Sequence, residues 1–577
     1  MEVFFMPFGK IPFLPPFSNA RLPVPRHFER NLRRLLKHQP EPEKMECYPA
    51  AAVLFSNASF LYERFLSLKK ELKGCPSLPA AEGIPFMLTV ARDICLSLPL
   101  EKGRIMHSVR KAYTLREVTC RELDVLSPAL CCALFERLSP CLEKALDPME
   151  EEAALALQST CEKCLHALHA LARIRFDTLN EHLNPVAAVL KKEETYRHMD
   201  RESRLFYIAR AAYLARKWRL SETAVARAAL ALAENKEGPE KEAGYYLIEN
   251  PRLIACYLLK SKTLYSLRQK TLFYLLPLML PGLLFSTLWI VFKAPLFLLP
   301  FGLIAFCQVI RPWYFKALRR AFPSRMLPRL SKKYTRNQRL LVVVPTLLTG
   351  KKQALQMVSH LNTLHAATPH AHFLLLADFA DNKEQWTEED GLILRTAKAA
   401  VAALNAHVPG TFHYLHRARA WDEGQQAFCG RERKRGALED LNLLLAGEEC
   451  PDSFLYASLP VEQWNNAYDQ VITLDADTFL PPGAAAQMQG ALLHPLQKGR
   501  IAVISPRMEN LSLHIKTRLQ HLLAQSGGTD GYHRLFPEAY QDVFGRGSFA
   551  GKGIYDPHLF LHRTLGRLPK GRILSHD

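Results

Sequence analysis

Three rhythms of apolar and polar positions divide the 577-residue chain. From 45 to 270, apolar residues recur at three-to-four spacing among helix formers, which predicts an α-helical domain. Within it, Arg201 to Asn235 reads as two amphipathic helices, with Ser221 as the N-cap of the second. From 271 to 310 the polar positions vanish. Thr271 to Val291 carries no charge, Lys293 interrupts, and Ala294 to Ile310 is again uncharged. One span of the hydrocarbon layer takes ~20 residues, and a charge at mid-bilayer costs ~2.5–3.5 kcal/mol whereas one at a turn reaches water. The pattern therefore predicts a two-helix transmembrane hairpin in preference to a buried core hairpin of a soluble domain.

From Leu340 onward, strands alternate with helices. Leu340 to Leu348 reads as a buried strand breaking at Pro345, Phe373 to Ala377 as a second ending in Asp378, and Thr411 to His416 as a third. Val471, Ile472 and Leu474 form a further buried run that leads into Asp475 and Asp477. Helices are expected at about 351–364, 390–405 and 435–446. Such alternation predicts an α/β domain over 340–577 with a mostly parallel sheet, whose ligands bind outside the C-terminal ends of the strands. Asp378, Asp475 and Asp477 all fall at such ends. Side chains i and i+2 share one face of a strand, so Asp475 and Asp477 are expected to point the same way. Two like charges so placed suit a hard divalent ion, Mg²⁺ or Mn²⁺, which takes oxygen ligands and bridges to diphosphate oxygens.

Charge changes the picture only locally. The formal net charge is +19, but ten Lys or Arg and no acidic residue lie between Arg311 and Arg339. Placed after the hairpin, residues 311–339 read as a basic juxtamembrane linker, not a nucleic-acid groove. Lys260, Lys262, Arg268 and Lys270 flank the other end, so the positive-inside rule puts both ends in the cytoplasm. Residues 1–44 are expected to be irregular, because Pro7, Pro12, Pro15 and Pro16 interrupt the aromatic opening of the chain. The thirteen cysteines sit mostly in the helical region and fit a reduced compartment better than a disulfide framework. Cys161, Cys164, His166 and His169 span two helical turns, too far round a helix to face one ion, which leaves buried helical cysteines as the default.

The segments 341–350, 374–382, 431–442, 471–485, 494–496, 540–556 and 574–577, with 199–230 and 244–250 before the hairpin, resemble the glycosyltransferase portion of the cyclic β-1,2-glucan synthases, within the GT-A class. The resemblance implies UDP-glucose as donor, the 2-hydroxyl of a growing β-glucan as acceptor, inversion at the anomeric carbon, and a bacterial inner membrane location with the catalytic domain cytoplasmic. It implies that Asp378 contacts uracil and ribose, that Thr346 lies in the opening nucleotide loop, and that Asp475 and Asp477 hold the metal and diphosphate. Arg433 and Lys434 either add positive charge near the phosphates or form a solvated helix start. Phe544 to Tyr555, including Gly547, Ser548, Phe549, Gly551, Lys552 and Gly553, forms the acceptor-side loop or a mobile one. Asp577 matches the base that deprotonates the acceptor hydroxyl. The family continues past this point with a Gln-x-x-Arg-Trp-type motif, further membrane helices and a phosphorylase-like module. The chain is accordingly expected to match an N-terminal portion, with a separate C-terminal polypeptide as a partner. Another β-glucan product, or a non-catalytic membrane scaffold, are the alternatives.

Overall fold

A computed structural model describes residues 18–41, 45, 47–259, 326–448, 454–506 and 551–564, with short pieces at 285–287, 289–290 and 517–518. Most of the expected transmembrane hairpin and of the basic linker, together with Gly547, Ser548, Phe549 and Asp577, lies outside the described residues. Among the described residues, no helix is long and apolar enough to cross a membrane. The chain divides into two compact units.

The first unit is helical, apart from three short strands: β1 (Ser18–Ala20), β2 (Leu78–Ala81) and β3 (Ile84–Pro85). Its core is built on Phe28, Phe65 and Phe135, whose ring centroids lie 4.5–5.5 Å apart. Phe28 belongs to a helix, Arg26–Lys37, inside the segment expected to be irregular. Phe28, Leu32 and Leu35 lie on one helical face and are buried, so a short amphipathic pattern prevails over the nearby prolines. Ser221 caps the helix Glu222–Ala233 as expected, accepting from the Ala224 N–H at 3.2 Å. Cys161 and Cys164 are buried in the helix Glu151–Arg173, while His166 and His169 are exposed and the His169 ring stacks on Phe60 at 3.9 Å. The four side chains do not converge.

The second unit is an α/β sandwich. Its strands are β4 (Leu340–Leu348), β5 (His372–Phe379), β6 (Phe412–Arg417), β9 (Phe454–Ala457), β10 (Gln470–Thr473), β11 (Val503–Ile504) and β12 (Gly553–Tyr555), in the order β11-β12-β10-β4-β5-β6-β9. A small hairpin, β7 (Ala420–Asp422) and β8 (Ala427–Cys429), stands apart from this sheet. The four central strands β10, β4, β5 and β6 are parallel, whereas β12, β11 and β9 each pair antiparallel. The sheet is therefore mixed, where a mostly parallel one was expected, because the flanking strands come from two- to four-residue segments. Leu340, Val342 and Val344 face helices Lys351–Ala367, Glu388–His407 and Ala484–Leu493. Leu341 and Val343 face helix Arg433–Ala446. Burial on both faces explains why β4 reads as an unbroken apolar run.

β4 does not break at Pro345. Val343 O accepts from Leu474 N at 3.0 Å, so positions 343 and 345 turn their polar groups toward β10, and the β10 ladder ends at Val343. The missing proline N–H falls where no partner strand needs it. Residues outside the expected domain limits also join this unit. Leu330 bridges to Met199 and donates its N–H to Gly490 O at 2.9 Å. A Cβ at Gly490 would come within 2.3 Å of Leu330 O, so glycine there permits the approach. Arg329 pairs with Asp200 at 2.8 Å, and His198 stacks on Tyr334 at 3.9 Å.

Candidate functional site

Because β4, β5, β6 and β10 run parallel, their C-terminal ends share one edge of the sheet, and each delivers a polar residue there. β4 contributes Thr346, half-buried and paired with Ala377. Thr346 thus stands on the strand, not in the loop expected for it, as a consequence of β4 continuing through Pro345. β5 contributes Asp378 and β6 contributes Arg417. Asp475 follows β10. One intervening strand separates the Asp475 position from Asp378, or about 9–10 Å at two strand spacings.

Asp378 is buried against Arg417, which donates from Nε to Oδ1 at 2.8 Å and from Nη2 to Oδ2 at 2.6 Å. The same guanidinium donates to Asp440 Oδ2 at 3.0 Å, Arg431 O at 3.0 Å and Arg433 O at 2.9 Å. It is 1% exposed, so every one of these bonds works in a low-dielectric setting. Burial opposes its charge, yet the Asp378 and Asp440 partners outweigh that and raise its pKa. Asp440 is fully buried and also takes Arg431 Nη2 at 2.6 Å. Arg417 therefore fixes the turn 431–433, in which Glu432 and Arg433 both have φ of 50°. Gly430 closes the arrangement, since a Cβ there would lie 2.4 Å from Asp378 Oδ2.

That turn spans the edge from β5 toward β10. Arg433 pairs with Asp381 at 2.8 Å, and Lys434 reaches Asp475 Oδ1 at 2.6 Å. Lys552 approaches the other oxygen of Asp475 at 2.5 Å. Burial alone would raise the Asp475 pKa, but the bonds from Lys434 and Lys552 prevail and hold it below the usual carboxylate range. Gly551 O accepts from Thr473 Oγ1 at 2.9 Å and from Lys434 Nζ at 3.1 Å. Gly551 has φ of 67°, a left-handed conformation suited to glycine. Gly553 belongs to β12, where a Cβ would come within 2.5 Å of Ile504 O on β11. The last part of the expected acceptor loop is thus strand, packed too closely at position 553 for a side chain.

Asp475 and Asp477 do not share a strand face. β10 ends at Thr473, and Asp475 O accepts from Thr478 N at 3.0 Å, so the pair sits on a turn where pleat alternation no longer applies. Asp475 points to the lysines and Asp477 is exposed. Among the described residues, no three His, Cys, Asp or Glu side chains form a group that could hold a metal ion. Mg²⁺ typically takes one or two carboxylates and fills its shell with water and phosphate oxygens. Asp475 between two lysines, with the exposed Asp477 two residues on, fits a cation that arrives with a diphosphate, not one caged by protein alone.

No family model matches the chain. A stretch of 261 residues is 32% identical to the cyclic beta-(1,2)-glucan synthase NdvB of Rhizobium meliloti (strain 1021). Over that stretch the chain is a relative of the cyclic β-(1,2)-glucan synthases. The match takes in 41% of this chain and 9% of the length of that synthase.

Sequence reasoning placed the carboxylates at this edge and missed Arg417, Asp440 and Gly430. Two signals were present. Arg417 directly follows the expected strand Thr411 to His416, at its ligand-side end. Asp440 stands on the face defined by Ala437, Leu441 and Leu444, where an acid requires a buried partner.

Proposed function

We propose that this chain is the glycosyltransferase part of a β-glucan synthase, moving glucose from UDP-glucose to the 2-hydroxyl of a growing β-1,2-glucan at a membrane through the 271–310 hairpin. The observation that supports this best is the meeting of Asp475, Lys434 and Lys552 at the C-terminal end of a parallel strand, in a relative of a cyclic glucan synthase. In this proposal the nucleoside lies toward Thr346 and Asp378, and the diphosphate lies toward Lys434, Arg433 and the Asp475–Asp477 turn. Asp475 and Asp477 would hold Mg²⁺ or Mn²⁺, which when bound offsets negative charge on the leaving diphosphate.

The acceptor oxygen attacks the anomeric carbon from the face opposite the diphosphate. As the new C–O bond forms, the bond to the diphosphate breaks and its electron pair leaves with UDP. The hydroxyl proton goes to a carboxylate, assigned here to Asp577. A single displacement of this kind inverts the anomeric carbon and converts an α-linked donor into a β-glycoside.

The test is equilibrium binding of UDP-glucose to the full chain with and without Mg²⁺, followed by transfer of labelled glucose and linkage analysis. Metal-dependent binding that Asp475→Asn removes, with a β-1,2-linked product, is the expected result. Binding indifferent to Asp475→Asn would falsify the site. Donor binding without transfer would instead mark the chain as a donor-binding half that requires a separate C-terminal polypeptide.

A further inference from the structure

Asp475 is held from both sides. Lys434 Nζ lies 2.6 Å from Oδ1 and Lys552 Nζ lies 2.5 Å from Oδ2, so each carboxylate oxygen already has a cationic partner. Both ammonium groups are largely shielded, with the side chains 21% and 26% exposed. Screening by solvent is correspondingly incomplete. The backbone beside Lys552 is fixed independently of this contact. Thr473 Oγ1 donates to Gly551 O, and Gly553 is in register with Thr473 across β12 and β10. Only the flexible four-carbon stem of Lys552 has to move for its ammonium to change partners.

Formal charge states what such a change requires. Asp475 alone faces the two ammonium groups of Lys434 and Lys552, so the cluster already carries one excess positive charge. A divalent cation added alone raises that excess to three and turns two ammonium groups away from their carboxylate. A cation accompanied by the two negative charges of a diphosphate diester adds no net charge. The phosphate oxygens also give both ammonium groups charge-assisted acceptors.

We infer that Lys552, with Lys434, is a latch on Asp475 that competes with a divalent cation and passes to a diphosphate, so that cation and diphosphate bind this chain as one unit. The competition stands on the geometry above; the identity of the diphosphate as a nucleotide sugar rests on the proposed function.

Mn²⁺ binding to the full chain, followed by electron paramagnetic resonance, tests the latch without any turnover. Mn²⁺ is offered alone, with inorganic pyrophosphate, and with UDP, to wild type, Lys552→Met, Lys434→Met and Lys552→Arg. The latch requires effects of opposite sign. Lys552→Met should bind Mn²⁺ alone about tenfold more tightly and Mn²⁺ with pyrophosphate about tenfold more weakly, Lys434→Met should follow, and Lys552→Arg should restore pyrophosphate binding. Affinity for Mn²⁺ alone that is unchanged or reduced in both methionine variants overturns the latch, as does a chain that takes up no Mn²⁺ in any combination. If UDP and Mn²⁺ bind wild type and both methionine variants alike, the latch fails and the glycosyltransferase proposal survives. If pyrophosphate behaves as expected but UDP binds no better than pyrophosphate, the latch stands and the nucleotide-sugar assignment fails.

Discussion

Replacing Arg417 by Met keeps a long unbranched side chain of similar reach and removes the one guanidinium that joins β5, the 431–433 turn and the helix Arg433–Ala446. Asp378 loses both bonds from the guanidinium, Asp440 loses one, and the carbonyls of Arg431 and Arg433 each lose a bond. Removing one partner of a buried ion pair costs about 3–5 kcal/mol, and each of the two carbonyls that lose a bond adds about 0.5 kcal/mol. A loss of about 4–6 kcal/mol is a large share of the roughly 5–15 kcal/mol that holds a domain together. Hydrogen exchange at the amides of β5 and β6 reads this directly, and protection there should fall by about 10³ to 10⁴ at 1.4 kcal/mol per decade. The double variant Arg417→Met/Asp378→Asn removes the stranded charge and should recover at least a third of the loss. Protection reduced by less than about tenfold in the single variant, or no recovery in the double, would refute the view that Arg417 is the post on which this edge is built.

Other consequences can be checked with simpler measurements. Gly430→Ala places a methyl 2.4 Å from Asp378 Oδ2 and 3.1 Å from Arg417 Nη2. It should destabilise the α/β unit by about 1–3 kcal/mol in denaturant titration and weaken UDP binding as well. Tyr555→Phe deletes the hydroxyl that donates to buried Asn442 at 3.0 Å and should cost about 1–3 kcal/mol in the same assay; a neutral effect would remove this bond from the packing account. Burial holds His413 down to about 4, and His416 and His494 down to about 3, from an ordinary value of 6.5. The unfolded chain therefore binds protons that the folded chain excludes. Stability from His413 is fully present above pH 6.5, declines as the pH falls, and is gone below about 4, a loss of roughly 3 kcal/mol at 1.36 kcal/mol per pKa unit. Unfolding midpoints measured between pH 8 and 4 should be level at first and then descend, and a flat profile throughout would contradict it.

Parts of this molecule could be read from residue order because their signals are local. β4, β5 and β10 are built on β-branched or apolar runs, and an acid at the end of such a run in an α/β domain already marks the ligand edge. Asp378 and Asp475 both follow this rule, which places them on one edge from residue order alone. Other parts depend on partners distant in sequence. Three residues, Gly553–Tyr555, carry too little periodicity to identify a strand, and β12 exists because β10 and β11 offer it two edges. The effect of Pro345 depended on where a neighbouring ladder stops, which no local rule contains. The role of Arg417 required β5 and the helix Arg433–Ala446 to be in place around it. The helix Arg26–Lys37 differs, because its apolar positions were visible and nearby prolines were given too much weight.

The antiparallel insertion of β12 also has a consequence for biosynthesis. β10 leaves the ribosome about 80 residues before the segment that covers its outer side, from Thr473 to Gly553. At translation rates of about 5–20 residues per second, that flank of the nascent sheet stays uncovered for roughly 4–16 s. During this interval the strand leading to Asp475 presents unpaired backbone groups that another nascent chain could engage. Completion of the aspartate–lysine cluster is thus among the last events in the maturation of this unit, and slowed elongation between codons 474 and 552 should increase misassembly of this domain more than slowing elsewhere in it.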